Sequence, residues 1–176
     1  MSRKAQIWIE TVIYTLIGLA IIGIVLGIIK PAIEERKDSI SIAQSIDLLN
    51  VIDSKINEIK YVPGNAREME IKISRGKLIV DSQGDKVQIL IEDSKTPYSE
   101  EGIEVSVGSI GALTEKKGSK YSVSLTLDYK QKLNITYMGG ELNHTFQAAA
   151  SPYNVAIKNK GAIGEGQNPL TNIDFF

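Results

Sequence analysis

Apolar residues fill the chain from Gln6 to Ile29, and Glu10 is the only formal charge between Lys4 and Lys30. As a helix this segment would extend roughly 36 Å at 1.5 Å per residue, enough to cross a hydrocarbon core of about 30 Å. The apolar part of a secretory signal peptide is only about 7–15 residues long and is followed by small residues at a cleavage site. Here the apolar run is longer, and no Ala-x-Ala pattern follows it. The pattern therefore predicts a retained membrane helix over residues 6–29, behind a basic leader of residues 1–5.

Beyond the apolar run the helical period continues in a different form. Ile42, Ile46, Leu49, Ile52, Ile56 and Ile59 recur in steps of three and four, the stripe of an amphipathic helix. Pro31 is expected near a helix start or at a kink, because its ring disfavours helical geometry in Lys30. One long helix, or two nearly collinear ones, is predicted from Gln6 to about Lys60 within residues 6–62. It is stopped by Tyr61-Val62-Pro63-Gly64-Asn65.

From residue 63 to 176 the period changes to two. Strands are predicted around Met69–Ile73, Leu78–Val80, Val87–Ile91, Ile103–Val107, Tyr121–Leu127, Leu133–Tyr137, Leu142–Phe146 and Asn154–Lys158. Gly139-Gly140 between two of them signals a hairpin. The tail from Gly161 has no predicted element, although Phe175-Phe176 is expected to dock on an apolar surface. The expected fold class is α+β: a long transmembrane-then-amphipathic helix followed by an antiparallel, β-sandwich-like domain packed on the stripe.

Composition narrows the function. The chain has 176 residues, 20 Lys and Arg against 21 Asp and Glu, one His and no Cys. It lacks the basic footprint of a nucleic-acid binder, and without cysteine it has no disulfides, thiolate catalysis or Cys-ligated zinc. Arg3 and Lys4 ahead of the span predict a cytoplasmic N-terminus and an extracellular C-terminal domain.

The residues Arg3-Lys4-Ala5, then Gln6-Ile7-Trp8-Ile9-Glu10, then the Ile- and Gly-rich helix to Lys30-Pro31 form a single arrangement. It resembles the class III signal sequence of type IV pilins and archaeal pilin-like proteins. The resemblance covers about the first 31 residues; the β region carries no motif of the family. It implies that a prepilin-type signal peptidase cuts between Ala5 and Gln6, which makes Glu10 the fifth residue of the mature chain, where pilins carry a glutamate. It further implies a helical homopolymer of this chain, a pilus assembly machinery, and residence in the membrane before assembly. Pro31 would be the twenty-sixth mature residue, somewhat later than the proline of many bacterial pilins. Ala5 in place of the usual bacterial Gly, and Gln6 in place of Phe, fit the looser archaeal pattern better. A pilin-like fold and an adhesive cell-surface filament follow from the same resemblance.

The chemistry of Glu10 supports an assembly role. A carboxylate in the bilayer costs about 2.5–3.5 kcal/mol on insertion scales, so it calls for a partner. Cleavage after Ala5 would create a cationic α-amine one helical turn away, able to neutralise Glu10 within one helix or between staggered neighbours. The bland reading places Glu10 at the interface beside Trp8. Gly18, Gly23 and Gly27 include a Gly-x-x-x-Gly pair, which lets helices approach closely, although glycine is common in membrane helices.

Asn134-Ile135-Thr136 and Asn143-His144-Thr145 are glycosylation acceptor tripeptides; flanking Gly139-Gly140, they are expected close together on one exposed hairpin. Catalytic candidates are poor. His144 has no second histidine to pair with, and Gly161-x-x-Gly164-x-Gly166 has no Lys-Ser/Thr after it. Asp81 and Asp85 suit a turn better than a calcium ion. No enzyme activity, metal or cofactor is expected. The rival to the filament subunit is an uncleaved, membrane-anchored extracellular binding domain, or a minor pilin-like assembly component.

Overall fold

A computed structural model describes residues 3–164 and 169–176, with side chains from Trp8 onward. Helix α1 (Arg3–Ile59) is followed by strands β1 (Ala66–Ile71), β2 (Lys77–Asp81), β3 (Lys86–Ser94), β4 (Glu104–Val107) and β5 (Ile110–Lys117). Strands β6 (Lys120–Asp128), β7 (Leu133–Tyr137), β8 (His144–Gln147), β9 (Tyr153–Ile163) and β10 (Leu170–Phe175) complete the order. The layout is α+β, with a mostly antiparallel β domain. The chain divides into two compact units, one ending at Lys37 and the other running from Asp38 to Phe176.

In the first unit the helix runs through Pro31, where the missing N–H removes one intrahelical hydrogen bond to the residue 27 carbonyl. No residue from Trp8 to Lys37 is buried.

In the second unit the predicted stripe becomes core. Ile42, Leu49, Ile52, Ile56 and Ile59 are buried and Ile46 is half-buried, in one apolar cluster with residues of both sheets. Helix α1 ends where Pro63 and Gly64 forbid continuation, and its last carbonyls need partners. Buried Asn159 of β9 supplies them: its Nδ2 donates to the Ile59 carbonyl at 2.8 Å and to the Lys60 carbonyl at 3.0 Å. Gly64, at φ +87°, donates its N–H back to the Asn159 carbonyl at 2.8 Å. The helix end is thereby tied to the middle of a sheet.

The strands form a four-stranded sheet in the order β1-β9-β10-β7 and a six-stranded sheet in the order β4-β5-β6-β3-β2-β8. All neighbours pair antiparallel except β7 and β10, which run parallel, a departure from the purely antiparallel domain expected. Three further expectations are corrected. The first concerns Gly139-Gly140. The chain does reverse there, with Met138 and Gly139 at φ +49° and +76° and reciprocal hydrogen bonds of 3.0 Å between Tyr137 and Gly140. The flanking strands nonetheless join different sheets, β7 beside β10 and β8 beside β2. The local turn chemistry was legible, but Ile135 and Phe146 reach the core from separate sheets.

The second correction is β10, which forms in the tail that carried no predicted element. It buries Phe175 completely, whereas Phe176 stays 47% exposed. The third is β5, which was not predicted at all, although Ile110, Ala112 and Thr114 alternate as buried residues along it. Gly111 and Ala112 have weak strand preference and masked that alternation. Gly76, at φ +80° before β2, permits a close approach: a Cβ there would run into the Leu90 carbonyl oxygen.

Candidate functional site

The first candidate is the unburied part of helix α1. Trp8, Leu19, Ile24 and Ile28 are each more than 60% exposed, and the other large apolar residues between Trp8 and Ile29 are exposed too. The segment is long and apolar enough to cross a membrane. A helix that is apolar all round belongs in an apolar medium or between other helices. Its polar groups follow the same logic: the Thr15 hydroxyl donates to the Thr11 carbonyl at 2.9 Å, so it stays satisfied without water. Glu10 is exposed and makes no ion pair among the described residues.

A Cβ added at Gly18, Gly23 or Gly27 would meet nothing within 4 Å. Gly23 and Gly27 are four residues apart and so share a helix face, forming a shallow open notch; Gly18 lies off that line. Ala5 and Gln6, the residues of the expected cut, lie within the helix, and their side chains fall outside the described ones.

The two acceptor tripeptides are separated. Asn134 is half-buried in β7, and Thr136 is buried with its hydroxyl 2.9 Å from Asn172 Oδ1 and 2.8 Å from Asp174 Oδ1. Asn143 is exposed just before β8, with Oδ1 accepting the Gln83 N–H at 3.4 Å. The expected shared hairpin is therefore replaced by positions in two different sheets. His144 stacks flat on Tyr137 with ring centroids 4.0 Å apart and meets the edge of Phe146 at 4.6 Å, a packing role. Asp81 Oδ1 accepts the Gly84 N–H at 3.1 Å, and Asp85 Oδ1 accepts the Ile135 N–H at 2.9 Å. Gly161 belongs to β9, while Gly166 lies outside the described residues.

A second site had no sequence signal. Where α1 ends, a cleft of about 710 Å³ opens between the helix, the β4–β5 turn and the end of β6. Within it Asp53 accepts the Tyr129 hydroxyl at 2.7 Å on Oδ1 and the Ser109 hydroxyl at 2.9 Å on Oδ2. Tyr129 is 7% exposed, and its phenol is pushed well above the ordinary range, first by burial and then by its bond to, and charge repulsion from, Asp53. A raised pKa leaves this contribution intact below the unfolded value near 10; it is lost above that, as only the unfolded chain ionises. Alkaline titration followed by tyrosinate absorbance is expected to show Tyr129 ionising only together with loss of the fold. A tyrosine count that is complete before unfolding would contradict this.

Compared with protein-family models, curated proteins and solved structures, the chain matches nothing in any of the three.

Proposed function

We propose that the chain is a structural subunit of a type IV pilus-like cell-surface filament, made as a membrane-inserted precursor and polymerising through its N-terminal helix. The observation that carries this reading is the contrast within α1. Residues Trp8–Ile29 expose every large apolar side chain, while Ile42, Leu49, Ile52, Ile56 and Ile59 of the same helix are buried core. Residues Trp8–Ile29 of the first unit are thus a greasy helix with one carboxylate and one small-residue notch. Lipid would satisfy the greasy surface, but it would give Glu10 no partner. Packing against copies of itself would satisfy both, with the β domain facing outward.

The reading requires that the leader be removed, so that Gln6 supplies an α-amine. Mass spectrometry of the chain in sheared cell-surface material is expected to give Gln6 as its first residue, with a free amine. A chain that retains Met1–Ala5 and stays in the membrane fraction would overturn the reading in favour of an uncleaved anchored domain. A Gln6 cyclised to neutral pyroglutamate would overturn the proposed ion pair.

A further inference from the structure

We propose that the cleft around Asp53 and Tyr129 binds neutral saccharides. The proposal gives the adhesive part of the filament reading a ligand class, and rests on that reading only for the outward exposure of the β domain. The cleft, about 710 Å³, falls in the roughly 300–1,000 Å³ range typical of small-ligand sites. Its charged lining is balanced: Asp53 and Asp128 against Lys60 and Lys132. Neither an anion nor a cation is favoured by the net field, and the groups are left to act as hydrogen-bonding partners.

Those partners have spare capacity. Each Asp53 oxygen already accepts one hydroxyl, from Tyr129 and from Ser109, and a carboxylate oxygen has a second acceptor site. The protein's own hydroxyls therefore demonstrate the contact that a sugar hydroxyl would repeat. Lys60 donates to Asn57 Oδ1 at 2.6 Å, which leaves two of its three donors. Lys132 makes no ion pair among the described residues.

The apolar half of a sugar is met as well. A pyranose ring presents C–H groups on its faces and hydroxyls around its edge, so it suits an aromatic platform beside polar groups. Tyr61 is 81% exposed at the cleft, and the Lys60 ammonium lies 4.9 Å from its ring centroid. The ring packs into no core, and its remaining surface is available for stacking.

The test titrates the full chain, in dodecylphosphocholine micelles free of sugar headgroups, with mannotriose, lactose and the N-acetylglucosamine dimer. Binding is read by NMR shifts and calorimetry. Saturable binding of at least one of these is expected, with shifts centred on Asn57, Tyr61 and Ser109. Tyr61→Ala is expected to weaken it about 2- to 10-fold and Lys132→Ala about 10-fold. Tyr98→Ala, at an exposed tyrosine away from the cleft, should leave it unchanged. Absence of saturable binding by all three saccharides would overturn the proposal. Binding that survives the Tyr61→Ala/Lys132→Ala double change, or tighter binding of inorganic phosphate or free glutamine, would overturn it as well. The titration uses unassembled chain, so missing filaments leave its result intact, and missing sugar binding leaves the test at Gln6 intact.

Discussion

Glu10→Ala is expected to insert into the membrane at least as well as the natural chain and to yield no filaments. Removing a carboxylate from an apolar helix lowers the insertion cost by about 2.5–3.5 kcal/mol, so the precursor should accumulate in the membrane fraction. What disappears is the reason to leave lipid. In the proposed filament, a subunit in the bilayer holds a carboxylate that its own α-amine one turn away can pair with, and that a staggered neighbour's α-amine pairs with better. With Ala at that position, helix packing gains only dispersion and the close approach at Gly23 and Gly27, and lipid competes for the same apolar surface.

Glu10→Gln separates charge from hydrogen bonding. Its amide can accept a bond from the amine without a charge, so filament yield should fall between the two. Quantitative immunoblots of sheared and membrane fractions give the answer. Normal filament yield from Glu10→Ala would end the proposed mechanism, as would poorer membrane insertion of the variant.

The parts of the molecule written in the sequence are those whose cause is local. A lone charge in the run from Gln6 to Ile29, the Ile42-to-Ile59 stripe and the stop at Pro63-Gly64 each depend on neighbours within a few residues. Most strands with clean alternation, such as β3 and β6, were legible for the same reason. Sheet membership was not. Whether β7 pairs with β8 across Gly139-Gly140 or with β10 some 38 residues later, as Asn134 does with Asn172, depends on which sheet needs Ile135. The Asp53 cleft was hidden for a similar reason: Asp53, Tyr61, Ser109, Tyr129 and Lys132 come together only after α1, the β4–β5 turn and the end of β6 are placed. Glu10 was visible because it is the one charge in an apolar run; Asp53 was one carboxylate among many.

Arg75→Met is expected to destabilise the β domain by about 3 kcal/mol, or roughly 6–12 °C in unfolding midpoint. Asp38, the first buried residue of helix α1 among those whose side chains are described, is only 2% exposed. Its carboxylate pairs with the Arg75 guanidinium and accepts the Lys95 N–H at 2.6 Å and the Ser94 hydroxyl at 3.4 Å. Arg75 also donates to the Asp93 carbonyl at 2.7 Å, binding the β1–β2 connection to the end of β3. Removing the guanidinium leaves an anion in the interior with two hydrogen bonds and no counter-charge. Asp38→Leu does different damage. The guanidinium side chain is one-third exposed and can turn to water, while the Lys95 N–H loses its acceptor at about 1–3 kcal/mol. The double change Asp38→Leu/Arg75→Met removes both charges, so it should be markedly more stable than the sum of the single losses predicts. Denaturant unfolding of the full chain in detergent, across all four members of the cycle, measures the coupling. Additive losses would mean that the pair is a surface contact of little consequence, and an Arg75→Met midpoint equal to that of the natural chain would mean that Asp38 needs no cation.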